Sequence, residues 1–288
     1  MKRFKSIEKL VVLSGIALGI FILVSCQEGD ELSTIELSET EQVEIFSNST
    51  EVSNYADEEI DISYQAQFTE NTAGRLESYW EECVQITRDT MAKQVTIDFG
   101  EGCTGPYGRT RSGRVLITYD GEFNDGLANR VITFEDYFVN ARQFLGRIEL
   151  RNVNRNEEDI LTASRSLVDF TVVYPNGNSM VINGSTTRAW LEGEGDGDPS
   201  TNVIQLTGSY EGVSTKGRSF SHEIVEPVIA DFGCRLSGGF LRTEGVIEMT
   251  LSGIRRERVR TVDYGDGSCD SEYSVTINDE VTTVTTEG

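Results

Sequence analysis

The chain holds one histidine, His222, so any Ser-His-Asp or Cys-His nucleophilic device has to use it as the base. It lies in Phe220-Ser221-His222-Glu223-Ile224, which alternates like a strand and has no nucleophile elbow. A packed or solvent-facing side chain is therefore expected. A HExxH helix, a P-loop and a dinucleotide fingerprint are all missing from the sequence. Acid pairs are the other catalytic option, since glycoside hydrolysis needs only two carboxylates at the right separation. With 48 Asp and Glu, the sequence nominates no pair, and no catalytic residue is assigned. Asp98 and Asp263 each stand as a polar residue in an apolar strand just before a Gly-rich corner. Their expected role is to cap that corner, with ligand contact as the alternative. Glu192, Glu194, Asp196 and Asp198 alternate with glycines in one loop. Calcium takes about six to eight oxygens from loops of this kind, so these four are the candidate metal site and calcium the one cofactor suggested. The spacing matches neither an EF-hand nor an RTX nonapeptide, and a solvated hairpin tip is the competing reading. Asp263, Asp266 and Asp270 form a second such cluster.

The start of the chain is an export signal in composition. Met1 to Lys9 is basic, and Val11 to Val24 is an apolar run of about 14 residues, too short for a comfortable membrane span. Leu23-Val24-Ser25-Cys26 follows, with a small residue before the cysteine. This resembles the lipobox of bacterial lipoproteins. The resemblance implies that residues 1–25 are removed and that Cys26 takes a diacylglyceryl thioether. The new amine then becomes available for acylation. Two or three acyl chains hold far better than one, at ~0.8 kcal/mol per buried CH₂. Gln27-Glu28-Gly29-Asp30-Glu31 is similar to the acidic tag behind the lipidated cysteine of surface-exposed lipoproteins of Bacteroidota. That resemblance implies an outer-membrane protein facing the cell exterior. Asp89-Thr90-Met91 resembles the O-glycosylation motif of the same bacteria, with Thr90 as acceptor.

An exported chain meets an oxidising compartment, where cysteines pair. Apart from Cys26, four of the five cysteines remain, an even number. Cys83–Cys103 and Cys234–Cys269 are the favoured pairs, because each closes one hairpin module, and each bond stabilises by ~3 kcal/mol on the loop-entropy view. A zinc site is disfavoured by the lack of any Cys-x-x-Cys and by the single histidine.

These residues need elements to position them. Residues 26–78 are rich in Glu, Asp, Ser, Thr and Asn, with scattered apolar residues and one basic residue, Arg75. This reads as an acidic disordered tether, with a short element near Arg75 to Trp80. From about residue 79 to 288 the period changes to two. Val95, Ile97 and Phe99 alternate with polar residues, as do Val168, Phe170, Val172 and Tyr174, and Ile247, Met249 and Leu251. The expectation is an all-β body of roughly 12 to 14 antiparallel strands in a meander, sandwich or barrel. The clearest hairpin turns at Pro175-Asn176-Gly177-Asn178, where Asn-Gly suggests a type I′ turn. One motif occurs twice: Asp98-Phe99-Gly100-Glu101-Gly102 before Cys103, and Asp263-Tyr264-Gly265-Asp266-Gly267 before Cys269. Each lies between two strands, which suggests an internally duplicated hairpin.

The formal charge is -23. Loss of the leader removes four cations and one anion and leaves it near -26. Nucleic-acid binding needs a basic footprint, so that partner is excluded. The expected function is a membrane-anchored lipoprotein with a non-catalytic binding or structural role and a glycan or protein ligand. A carbohydrate-active enzyme or glycan-binding accessory is one alternative, with Trp80, Trp190, Tyr137 and Phe138 as stacking candidates. A self-associating envelope component is the other.

Overall fold

The computed structural model describes residues 37–66, 80, 83–105, 108–123, 127–195, 198–237, 239–252 and 259–285. They belong to one compact unit running from Thr34 to Gly288; the other unit, Met1–Ser33, lies outside the described residues. So do the leader, Cys26, the acidic tag and the segment from Arg75 to Tyr79.

Helix α1 (Glu39–Gln65) comes first. The sheet follows as β1 (Gln85–Asp89), β2 (Gln94–Asp98), β3 (Cys103–Thr104), β4 (Thr110–Tyr119), β5 (Arg130–Val139), β6 (Arg142–Arg155) and β7 (Leu161–Val173). It continues as β8 (Ser179–Glu192), β9 (Val203–Val213), β10 (Ser219–Asp231), β11 (Arg242–Leu251), β12 (Val259–Asp266), β13 (Glu272–Ile277) and β14 (Glu280–Thr285). A short helix α2 (Phe232–Leu236) lies between β10 and β11. The strands form one antiparallel meander in which each pairs with its sequence neighbour, except that the two-residue β3 pairs β4 beside β2. The sheet is not closed into a barrel; β1 and β14 are its edges. The expected all-β antiparallel class is therefore found, with 14 strands among the described residues.

Residues 39–65 are the correction. They form a helix of 27 residues, where a disordered tether was expected over 26–78. Ser38 and Glu41 make a reciprocal capping box at its start: the Ser38 hydroxyl accepts from the Glu41 backbone N–H, and the Glu41 carboxylate accepts from the Ser38 N–H at 3.0 Å. Every residue from Val52 to Tyr64 is buried. An α-helix turns about 100° per residue, so burial of thirteen in a row means cover on all sides. The sheet supplies that cover. Phe46 stacks on His222 of β10, Thr50 meets Tyr264 of β12, Tyr55 meets Phe144 of β6, and Tyr64 meets Trp190 of β8.

Bulges bend the strands around the helix. The β4–β5 and β6–β7 ladders shift register at Gly113 and Gly146. Gly146 has φ +84° and faces Asp169, itself at φ 48°. A Cβ on Gly146 would sit 2.1 Å from the Asp169 carbonyl oxygen, closer than any real contact allows. Such paired irregularities strengthen local twist and give a long sheet its curvature.

The turns correct one expectation. Gly177 N–H donates to Tyr174 O and Tyr174 N–H to Asn178 O, both at 2.8 Å, and only Gly177 has positive φ. This is a type I turn with a Gly bulge, not type I′, because three loop residues suit that pairing. Asn278 (φ 55°) and Asp279 (φ 68°) adopt the type I′ pattern instead, between β13 and β14.

Gly146→Ala is expected to destabilise by about 2 kcal/mol or more through strain and clash. Urea denaturation checks it, with exposed Gly177→Ala, which meets no atom, giving a smaller loss set by its φ alone.

Candidate functional site

The interior of the sheet holds the densest chemistry among the described residues. Asp57, Glu58 and Glu59 are consecutive on α1, Asp61 follows after Ile60, and all four are at most 2 % exposed. Burying bare carboxylates would be prohibitive without cations and donors. The strands deliver them. Asp57 Oδ1 meets Arg188 Nη1 of β8 at 3.1 Å and Arg165 Nε of β7 at 3.3 Å, and its Oδ2 lies 3.7 Å from Arg242 Nη2 of β11. Glu58 Oε2 accepts from Arg109 and Arg111 at 3.0 Å each, with Arg235 of α2 at 3.8 Å from Oε1. Glu59 accepts from Arg111 Nε at 3.3 Å and from the Tyr137 hydroxyl at 2.9 Å. Asp61 accepts from Asn202 and Gln65.

Arginine also serves the helix backbone and its neutral residues. Arg242 donates to Asn54 Oδ1 at 2.8 Å and Ser53 Oγ at 2.7 Å. Arg130 donates to the Ser63 carbonyl at 2.9 Å and stacks 3.8 Å from the Tyr64 ring centre. Arg260 donates to Gln42 at 2.6 Å. A guanidinium offers five donors in a fixed fork, which lets one side chain hold two acceptors at once.

Charge and burial compete at each group. Burial pushes the Asp61 carboxyl up to about 7, against the opposing pull of Arg188, Gln65 and Asn202. Burial likewise raises Glu59 despite Arg111, and raises the Tyr137 phenol well above its usual value. Burial pulls Arg165 and Arg188 down, with Asp57 opposing.

His222 is a core residue. It packs between Phe46 and Tyr210, with ring centres 5.4 and 4.6 Å away, and its Nε2 lies 3.2 Å from Ser49 Oγ. Burial, helped by Arg242, pulls the ring down to about 3, so it is neutral at ordinary pH. The Ser49 hydroxyl donates to the Phe46 carbonyl at 2.8 Å, which ties it to the helix backbone.

The cysteines pair as expected: Cys83 with Cys103 and Cys234 with Cys269, at Cα separations of 5.6 and 5.1 Å. Asp98 ends β2, whereas Asp263 lies within β12. Asp98 accepts from Gly100 N at 2.8 Å and Asp263 from Gly265 N at 2.9 Å, the capping role expected of both. Asp266 and Asp270 likewise accept from the backbone two residues on.

The four loop acids are not brought together as a cage in the described residues. Glu192 is exposed, Glu194 is bound by Arg155 at 2.7 Å, and Asp198 accepts from Ser200 N and Oγ at 3.0 and 2.6 Å. Asp196 lies outside the described residues. The one metal-like grouping among described residues, Asp231 with Cys234 and Cys269, has both sulfurs in a disulfide. Thr90 is exposed on the β1–β2 turn, where Asp89 accepts from the Met91 and Ala92 N–H groups at 2.9 Å. Trp80, Trp190 and Tyr137 are buried in the core, and Phe138 is half-buried.

Sequence reasoning missed the acidic run on α1 and its arginines. The signal was phase: Arg165 falls in step with Leu161, Ala163 and Leu167, and Arg260 with Val262 and Tyr264, all inward.

Asp57→Leu is expected to destabilise by about 3–5 kcal/mol, because it strands buried guanidinium groups. Arg147→Ala breaks a half-exposed outer pair with Glu149 and is expected to cost under about 1 kcal/mol. Chemical denaturation compares the two. Asp61 gives a pH signature. Its carboxyl holds a proton more readily folded than unfolded, so its contribution to stability is full below the ordinary 3.8 and is lost as pH rises from there through about 7. Asp61→Asn is expected to remove that slope, read as the difference between the two stability–pH curves. No family model, no curated protein and no solved structure matches this chain.

Proposed function

We propose that the chain is an outer-membrane lipoprotein, held by Cys26 and facing the cell exterior, whose β body has a non-catalytic binding or structural role. The observation that carries the non-catalytic role is the filled interior, whereas the leader and Cys26 support the anchor. The concave side of the sheet, where a curved sheet would open a cleft, is taken by α1, buried without a break from Val52 to Tyr64. The grouped carboxylates there are engaged by arginine, tyrosine and amide donors, whereas a general acid or base has to reach its substrate. Trp80, Trp190 and Tyr137 are spent on the same core, which weighs against the carbohydrate-active alternative.

A partner therefore meets the outer face. That face carries Asp98, Arg114 and Glu135 across β2, β4 and β5, and Arg147, Glu149 and Arg151 along β6. Over β8 to β11 it presents a recess of about 460 Å³ lined by Ser185, Ser209, Glu211, Ser221, Glu223 and Glu248. Hydroxyls and carboxylates of this kind suit a polar protein or glycan surface by hydrogen bonding. An anionic surface is disfavoured by a net charge of -23.

Cys26→Ser is expected to abolish incorporation of labelled palmitate and to leave the leader uncut. In intact cells, an added protease is expected to degrade the wild-type body. Palmitate labelling or normal leader cleavage of Cys26→Ser would overturn the anchor, and protection from protease would overturn the exterior location. A glycan array with the mature chain separates glycan from protein partners.

A further inference from the structure

Three successive acids on a helix point about 100° apart, so Asp57, Glu58 and Glu59 display negative charge to nearly every side. A groove could satisfy one of them. A sheet curled around the helix satisfies all three, and this sheet does so from β4, β7, β8, β11 and the turn before β4. The partners are remote: hydrogen bonds from Arg109, Arg111, Arg188 and Arg242 to α1 span 51 to 189 residues of chain. Neither disulfide involves the helix; they join Cys83 to Cys103 and Cys234 to Cys269.

We infer that the inner face of the sheet is a receptor for an acidic helix and that α1 is its resident ligand, retained by these contacts rather than by the chain joining it to β1. The kind of partner this surface fits is narrow. It is a helix with acids at positions 57, 58, 59 and 61 and with Phe46, Tyr55 and Tyr64 to fill the space between strand side chains. An apolar helix would leave Arg165, Arg188 and Arg242 buried against nothing of opposite charge. A further consequence, which rests on the Cys26 reading above, is that the body is docked on the lipid-bearing segment as well as covalently continuous with it.

The test cuts the connection in the full-length protein. A recognition sequence for a site-specific protease is inserted between residues 67 and 79, the folded protein is treated, and complete scission is verified on a denaturing gel. The two pieces are expected to co-elute on native gel filtration at the position of the uncut monomer and to part only in denaturant. Arg165→Met and Arg242→Met are expected to speed dissociation of the cut protein by about a hundredfold, since each leaves a buried acid short of a cation. Outer-face Arg147→Met is expected to leave it unchanged. Separation of the wild-type pieces without denaturant overturns the inference, and so does a rate insensitive to Arg165 and Arg242. Elution at twice the mass overturns the resident role of α1 in its own sheet and assigns it to a second copy's. If the arginine variants do not fold, the cut wild type decides alone. The same scission on membranes separates the two readings: uncut protein in the soluble fraction defeats the anchor, whereas release only after cutting defeats this inference.

Discussion

Three carboxylates in immediate succession on a helix cannot leave water unless cations come to them from several directions. Asp57, Glu58 and Glu59 impose that condition, and the architecture is what satisfies it. Arginines on strands far apart in the chain have to converge on one axis, so the sheet has to curl. The bulges at Gly113 and Gly146 make the curl sterically available. Breaking one partnership leaves a bare charge in low dielectric, which is why such pairs specify an arrangement more surely than they add stability.

The interior is thus polar and apolar at once. Ile45, Val52, Ala56 and Ile60 pack among strand residues such as Ile148, Val172 and Ile182. Between them, guanidinium groups lie over aromatic rings, as Arg188 does over Trp190 at 4.4 Å and Arg109 over Tyr55 at 4.1 Å. The rings shield the pairs from water. The outer face keeps its charges half in solvent, where they serve solubility and contact.

The strands were legible because one face is buried and the other wet, which writes itself as alternation at Val95-Ile97-Phe99 or Ile247-Met249-Leu251. The two cystines were legible from the repeated Asp-aromatic-Gly motif and the even count. The helix was not, because a helix enclosed on every side has no amphipathic stripe, and the residues that fit it to an arginine-lined sheet are those of a solvated spacer. Two local signs were present: the Ser38-x-x-Glu41 box, and the lack of any glycine or proline between Gly29 and Gly74. The candidate site was unreadable for a related reason. Alternation places Arg165 or Arg260 on the inner face, but only the fold tells what an arginine finds there.

The order of elements along the chain bears on how the molecule assembles. Each strand after β1, β3 aside, pairs with a strand shortly before it in the chain, so the meander itself forms from contacts close in sequence and is topologically fast. The central helix is different: it is made before any strand, yet its partners extend to Tyr273, whose hydroxyl meets Ser47 at 2.7 Å. A chain emerging from its N-terminus therefore exposes its most acidic segment first and can seat it only when nearly all of the sheet exists. Closure around that segment makes the least local contacts of the fold, and a chain truncated before β11 lacks the arginine, Arg242, that reaches Asp57 from the far side of the sequence.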